Sequence, residues 1–152
     1  MYKIREALTP DIHHIIEQRR QMFLDIGFEN TDTLSDVAEA FGPWVEQKMS
    51  AGDYLGWFAT TERGDVVAGL GLWLIEWPPH LIGTSAHRAY ILNVYTHPDH
   101  RRQGLAKRLT ETAIDWCKEH GIDYIFLHAS QHGRPIYEAL DFKQGSEMRL
   151  VL

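Results

Sequence analysis

The stretch HPDHRRQGLAKRL, from His97 to Leu109, joins a predicted strand to a predicted helix through a basic turn built on Gly104. The first N–H groups of a helix have no acceptors within that helix, and the helix dipole adds partial positive charge there. Gly104 lets the backbone approach an oxyanion because no Cβ stands in the way, and Arg102 and Lys107 add positive charge. The stretch therefore predicts a binding site for an anion such as a pyrophosphate.

Two common phosphate-binding motifs do not occur in this stretch. It contains neither the Gly-x-x-x-x-Gly-Lys-Ser/Thr of a P-loop nor the Gly-x-Gly-x-x-Gly of a dinucleotide-binding fold. Nucleoside triphosphates and nicotinamide cofactors are therefore poorly supported as ligands.

The composition is typical of one globular domain. The chain has 152 residues, of which 44% are hydrophobic and 24% are charged, and a chain of this length buries about two thirds of its unfolded surface. No segment approaches the run of about 20 apolar residues that a membrane span requires, and the N-terminus has no signal-peptide pattern. We expect a single domain over residues 1–152 that is cytoplasmic and has no membrane partner.

The net charge of −6 is unevenly distributed along the chain. Residues 1–62 carry five Lys or Arg and eleven Asp or Glu, whereas the rest of the chain is balanced. A nucleic-acid-binding protein would be expected to present a basic face, and only the turn around Gly104 is locally basic. The charge pattern therefore predicts a small anionic ligand at one place and no nucleic-acid partner.

The hydrophobic periodicity predicts an α/β domain with a mixed sheet. The predicted order is strand, two helices, a meander of three strands, helix, strand, short helix and strand. The segments are residues 2–8, 9–27, 34–49, 54–61, 66–77, 89–96, 104–121, 123–130, 134–140 and 146–152. The second helix is expected to extend to Met49, with a break at Gly42-Pro43 left open.

Two motifs in the second half of the chain resemble those of the GNAT superfamily of N-acetyltransferases. Residues 101–106 (RRQGLA), which follow the step 96–98 (THP), resemble the family pattern Arg/Gln-x-x-Gly-x-Gly/Ala. Residues 130–142 resemble its Asn-x-x-Ala-x-x-Leu-Tyr-Glu-x-x-Gly-Phe element. Ser130 replaces the usual Asn there, and Asp141 replaces a Gly, at a position where Asp can also adopt a left-handed conformation.

The resemblance implies a GNAT-like fold, with a mixed, mostly antiparallel central sheet of six to seven strands flanked by about four helices. It also implies acetyl-CoA as cosubstrate, with its pyrophosphate on the backbone N–H groups of residues 103–106 and its pantetheine on the main chain of residues 94–96. The implied cofactor-binding residues are Val94, Tyr95, Thr96, Arg101, Arg102, Gln103, Gly104, Leu105, Ala106, Lys107, Ser130 and Arg134.

Three residues are candidates for catalysis. By resemblance, Tyr137 would protonate the departing thiolate of coenzyme A, and a core tyrosine is the alternative. An alkylamine is only about 0.04% neutral at pH 7, so a base is also needed. Glu76 could act as this base or be an ordinary strand-end residue, and His128 could face the acetyl group or be a satisfied core histidine. Asn93 shares the ambiguity of His128.

Several other conspicuous residues favour structural interpretations. His97 and His100 flank Pro98 and Asp99, so they are interpreted as turn residues, and no metal is expected. Cys117 falls on the apolar stripe of the predicted 104–121 helix, which favours a buried thiol. Trp44 and Trp77 lie near predicted element ends and could line an acceptor pocket.

The sequence favours an N-acetyltransferase that moves the acetyl group of acetyl-CoA directly to a primary amine. The acidic first 62 residues favour a small cationic amine, carried by a small molecule or a peptide, and the alternative is that these acids only keep the surface solvated. The alternative is a non-catalytic acyl-CoA-binding module that regulates a partner. A homodimer is left open.

Overall fold

The computed structural model describes all residues from 1 to 152 and contains five strands and four α-helices. In chain order these are β1 (Lys3–Glu6), α1 (Ile12–Asp25), α2 (Thr31–Ala51), β2 (Tyr54–Thr60), β3 (Val66–Glu76), β4 (His87–Thr96), α3 (Leu105–Glu119), β5 (Ile125–Leu127) and α4 (Arg134–Glu138). Short 3-10 turns cover Thr9–Asp11 and Pro98–His100.

The five strands form one sheet in the order β1-β2-β3-β4-β5. The first four strands pair antiparallel, and β4 and β5 pair parallel. Parallel strands need a long crossover, and α3 supplies it. The mixed, mostly antiparallel sheet with about four helices confirms the predicted fold class.

The prediction of six to seven strands is wrong, because the sheet has five. Residues 146–152, predicted as the last strand, pair with no other segment, and their apolar side chains are solvent-exposed: Met148, Leu150, Val151 and Leu152. An alternating pattern is compatible with a strand, but inter-strand hydrogen bonds are needed to make one. The fifth strand is also shorter than the predicted 123–130, since the β4–β5 ladder stops at the pair Ile91–Leu127.

The long helix α2 begins and ends at residues that satisfy its free backbone groups. The Asn30 side chain accepts a hydrogen bond from the Thr33 N–H at 3.1 Å, and Gly52 ends the helix with φ 77°. The helix continues through Pro43 without a break. Buried Phe41 and Val45 hold the helix against the sheet on either side of this proline.

The sheet is covered on both faces. One face packs under α3, where Leu105, Leu109 and Cys117 are fully or almost fully buried. Burial raises the pKa of the Cys117 thiol to about 11, so it stays a thiol at neutral pH, as expected for a structural cysteine. The other face packs under α1 and α2 through a smaller cluster that includes Tyr54 and Phe58.

None of the helices combines the length and the apolar character needed to cross a bilayer.

Gly71 in β3 provides a test of this packing. A Cβ at this position would overlap the hydroxyl of buried Tyr54, whereas a Cβ at Gly145 would meet no atom within 4 Å. We expect Gly71→Ala to lower the free energy of unfolding by about 1–3 kcal/mol because the core cannot absorb the added atom. Chemical denaturation measures this change. Gly145→Ala is the control, and equal stability of the two variants would contradict the described packing.

Candidate active site

A bulge at Asn93 changes the course of β4. The β3–β4 register shifts between Gly69 and Gly71, and Asn93 has φ 55°. Asparagine tolerates this left-handed conformation better than most residues, and bulges commonly redirect side chains next to sites. The Asn93 side chain is buried, so its position in the site is held by the surrounding residues.

Beyond the bulge, one edge of β4 has no strand partner. β5 pairs with β4 only from Ala89 to Ile91, while Tyr95 and Thr96 pair with β3 on the opposite edge. An unpaired strand edge presents main-chain N–H and C=O groups to a ligand. The predicted pantetheine site at residues 94–96 therefore coincides with an open edge, which we call the open β4 edge.

The turn before α3 presents a run of free backbone donors. The N–H groups from Arg102 to Lys107 make no hydrogen bond within the chain. Arg102 and Gly104 have φ 61° and 72°, and a Cβ at Gly104 would meet no atom within 4 Å. Successive N–H groups around left-handed residues at a helix start form an anion-binding concavity. We call residues 102–107 the N–H cradle, and its donors fit the pyrophosphate of acetyl-CoA.

The basic side chains near the cradle have different partners. Arg101 donates to the Asp25 carboxylate at 2.6 Å and to the Thr96 carbonyl at 3.0 Å. It therefore ties the cradle to the end of α1, and only part of its guanidinium is left for a phosphate. Arg102 and Lys107 are exposed beside the cradle and add positive charge there.

The α4 segment places a buried tyrosine. The Ser130 hydroxyl accepts a hydrogen bond from the Gly133 N–H at 3.0 Å, which fixes the entry to α4. Tyr137 is buried and packs edge-on against Phe142, and its hydroxyl makes no hydrogen bond within the chain. Burial raises the pKa of Tyr137, so the phenol stays protonated at neutral pH. Asp141 adopts the left-handed conformation with φ 66°, as the motif requires.

His128 lies at the centre of a three-residue hydrogen-bond chain. Its Nε2 is 3.1 Å from the Glu147 carboxylate, and its Nδ1 is 2.7 Å from the Tyr90 hydroxyl. An ionised carboxylate only accepts hydrogen bonds, so in the neutral ring Nε2 is the donor and Nδ1 accepts from the tyrosine. We call Tyr90, His128 and Glu147 the histidine relay. Its geometry suits transfer of a proton from the tyrosine side to the imidazole.

A second polar chain holds the bulge. Arg19 donates from Nη1 to the Asn93 Oδ1 at 2.7 Å, and the Asn93 amide donates to the Tyr54 hydroxyl at 3.0 Å. Tyr54 is buried, and this burial raises its pKa to about 12. The chain links α1 to the bulge across the face of the sheet that α1 and α2 cover.

Glu76 lies outside the group formed by the bulge and the relay. It is the exposed last residue of β3, opposite His87, and its side chain makes no hydrogen bond. Arg134 is at the protein surface, where it contacts Gln144 and Glu138 at 3.3 and 3.6 Å. The structure thus brings His128 to the β4–β5 divergence but leaves Glu76 at the end of its strand.

The conspicuous histidines and tryptophans have local partners. The His97 ring accepts from the Asp99 N–H at 3.3 Å, and His100 shares a 2.9 Å hydrogen bond with the Tyr2 hydroxyl. No group of three or more His, Cys, Asp or Glu side chains is placed to hold a metal ion. Trp44 of α2 packs against Trp73 of β3, with ring centroids 5.2 Å apart.

Three residues of the site were not predicted from the sequence: Arg19, Tyr90 and Glu147. Arg19 is interpreted from sequence only as part of an amphipathic helix, and Tyr90 only as part of a buried strand. Glu147 belongs to the segment that was expected to form the last strand. No local spacing marks them, because their contacts join residues that are distant along the chain.

Comparisons with known proteins agree with the geometry. The model of the Acetyltransferase (GNAT) family matches residues 14–142. A GCN5-related N-acetyltransferase from Ralstonia eutropha is 32% identical over 100% of this chain and 99% of its own, with a TM-score of 0.92. A predicted acetyltransferase from Clostridium acetobutylicum, solved with acetyl-CoA, is 27% identical over 100% of this chain and 96% of its own, with a TM-score of 0.86.

More distant structures share the fold. Glucosamine-6-phosphate N-acetyltransferase from Arabidopsis thaliana is 21% identical over 100% of this chain and 98% of its own, with a TM-score of 0.74. No curated protein sequence gives a significant match.

The N–H cradle can be tested with two glycines of the same helix. Gly104 and Gly121 flank α3, have φ 72° and 71°, and face open space. Alanine at either position has the same conformational cost, roughly 1–2 kcal/mol. We expect Gly104→Ala to weaken acetyl-CoA binding about tenfold or more, because the methyl group crowds the cradle, and Gly121→Ala to bind normally. Titration calorimetry measures both affinities, and equal affinities would contradict the assignment.

Proposed function

Since the chain belongs to the GNAT family of acetyltransferases, we propose that it transfers the acetyl group of acetyl-CoA directly to a primary amine. The observation that supports this most strongly is the continuity between the open β4 edge and the N–H cradle at residues 102–107. A strand edge that leads to a run of free N–H groups suits a long ligand with amide groups at one end and phosphates at the other.

Different parts of the chain bind different parts of acetyl-CoA. When bound, this cosubstrate supplies the acetyl thioester. The cradle donates to the pyrophosphate, with Arg102 and Lys107 adding charge that salt can screen. The main chain of residues 94–96 offers hydrogen bonds to the pantetheine. Ser130 acts through the entry to α4, since its hydroxyl fixes the Gly133 N–H.

The histidine relay is proposed as the base that prepares the acceptor. An ammonium group has to lose one proton before its nitrogen can attack a thioester carbonyl. The Tyr90 hydroxyl passes its proton to Nδ1 of His128 as it takes the proton of the acceptor, directly or through water. The Glu147 carboxylate stabilises the imidazolium that results.

Tyr137 is proposed as the proton donor to the leaving thiolate. As the new C–N bond forms and the C–S bond breaks, the sulfur receives the phenolic proton, and the attacking nitrogen, which is cationic after addition, releases its second proton to solvent. The raised pKa keeps this proton on the phenol before the reaction and makes the phenolate recover a proton from water afterwards. The proton taken by the relay is released to solvent, so no net proton is lost from the enzyme.

The acceptor is proposed as a small molecule or peptide with a primary amine. The sequence predicts a cationic acceptor, and the acidic residues behind that prediction lie on exposed parts of α2 and the segment before it: Glu29, Asp32, Asp36, Glu39 and Glu46. These side chains favour an ammonium group through long-range attraction, which salt weakens. A regulatory acyl-CoA-binding module would share the cradle but would have no need for Tyr137 or the relay.

Removing only the phenolic hydroxyl tests the role of Tyr137. We expect Tyr137→Phe to lower kcat by about 10- to 100-fold while acetyl-CoA affinity stays the same, because ring packing is kept. Steady-state assays of amine acetylation and calorimetry measure the two quantities. Tyr124→Phe, on a tyrosine that precedes β5, is the matched control. An unchanged kcat in Tyr137→Phe would assign this residue to the core.

A pH profile tests the relay. A base works only when unprotonated, so kcat/KM of the native protein should fall at acidic pH. We expect His128→Gln to lower kcat/KM by about 100-fold or more and to remove this acidic limb. Glu76→Gln should leave both unchanged. If instead Glu76→Gln removes the limb and His128→Gln keeps it, the base is Glu76.

A further inference from the structure

Arg19 is a half-buried cation with no anionic partner in the chain. Its Nη1 donates to the neutral amide of Asn93, and its Nε is buried without any hydrogen-bond acceptor. Nη2 makes no hydrogen bond in the chain and keeps some access to solvent. A buried guanidinium is normally paired with a carboxylate, because its desolvation is costly. Most of the five N–H donors of Arg19 are therefore free for another partner.

Two aromatic rings fix the direction of this guanidinium. Its central carbon lies 4.6 Å from the centre of the Phe41 ring and 4.9 Å from that of Phe23. The contact with Phe41 joins α1 to α2, since Phe23 belongs to α1 itself. The side chain is thus held in place before any ligand arrives, which lowers the entropic cost of binding.

The position of Arg19 connects it to the proposed reaction. Its hydrogen-bond partner Asn93 forms the bulge at which the open β4 edge begins. Burial raises the pKa of Tyr90 in the relay, and the positive charge of Arg19 nearby partly offsets this rise. The same face of the sheet therefore carries the proposed base, the start of the pantetheine site and the positive charge of Arg19, which has no anionic partner in the chain.

Arg88 shares two features with Arg19, namely stacking on aromatic rings and a buried Nε without an acceptor. These two features alone therefore do not identify a ligand-binding arginine. Its guanidinium lies over the rings of Trp77 and Tyr124 at 4.2 and 3.7 Å, and its Nε is also buried without an acceptor. It bonds to the Ile82 carbonyl, however, at the other end of β4. Arg19 differs because it is hydrogen-bonded to Asn93, the residue that forms the bulge.

Resting on the proposed transfer to an amine, we infer that Arg19 binds an anionic group of the acceptor, a carboxylate or a phosphate. The planar guanidinium matches both groups through paired hydrogen bonds. A non-reacting anion held there would orient the amine toward the thioester, so its binding energy would help catalysis. The acceptor would then carry an ammonium group and an anion together, which departs from a simple cationic amine.

A panel of paired amines tests this inference. Each pair differs only in the anionic group: L-phenylalanine with phenethylamine for the carboxylate, and O-phosphoethanolamine with ethanolamine for the phosphate. With saturating acetyl-CoA, we expect the anionic member of at least one pair to have a kcat/KM about tenfold or more above its partner. The pair that shows the preference identifies which anion is bound.

Two variants separate recognition from stability. Arg19→Met should abolish the preference between the members of a pair, whereas Arg88→Met, which also removes a stacked buried arginine, should keep it. A preference that is retained in Arg19→Met would overturn the inference. Acetylation of the amines that lack the anionic group would in that case leave the proposed function intact.

A binding measurement covers acceptors that lie outside the panel. Sodium acetate or phosphate should shift the Nε–Hε NMR signal of Arg19 in the protein bound to acetyl-CoA, while sodium chloride at equal ionic strength should not. The Nε–Hε signal of Arg88 is the internal control. No shift with either anion, together with no preference in the panel, would overturn the inference, while acetyl-CoA binding would remain a separate result.

Discussion

The divergence of β4 from β5 after the pair Ile91–Leu127 is the constraint on which the rest of the site depends. Up to that pair, the two strands satisfy each other's main-chain groups. Beyond it, the bulge at Asn93 turns β4 away and leaves one edge unpaired. The exposed edge costs stability unless a ligand completes it, and it leads directly to the free donors of residues 102–107. We propose that the binding of acetyl-CoA depends on this absence of strand pairing.

The polar chain from Arg19 through Asn93 to Tyr54 keeps the bulge in place. A left-handed residue in a strand persists only where its surroundings fix it. Here the amide of Asn93 uses its acceptor toward α1 and a donor toward β2, so two elements hold it from one side of the sheet. Gly71 leaves the room that the Tyr54 hydroxyl needs. The same contacts that stabilise the fold therefore set the geometry of the proposed reaction.

Those parts of the molecule that depend on local sequence could be predicted, and those that depend on distant contacts could not. The turn at Gly104 and the helix after it follow from local backbone chemistry, and the structure has both. The relay and Arg19 depend on pairs separated by 19, 38 and 74 residues, which no local pattern encodes. The expected strand at 146–152 has the right alternation but no neighbouring edge, and instead this segment supplies Glu147 to His128.

The central claim is that free main-chain groups of the cradle and the open β4 edge bind acetyl-CoA, and amide NMR tests it most directly. On titration with acetyl-CoA, the amide signals of residues 102–107 are expected to shift strongly, because their free N–H groups gain acceptors, and the signals of the open β4 edge should shift with them. The amide of Gly121, at the other end of α3, should stay in place. Tight binding that leaves the signals of residues 102–107 unchanged would contradict the account.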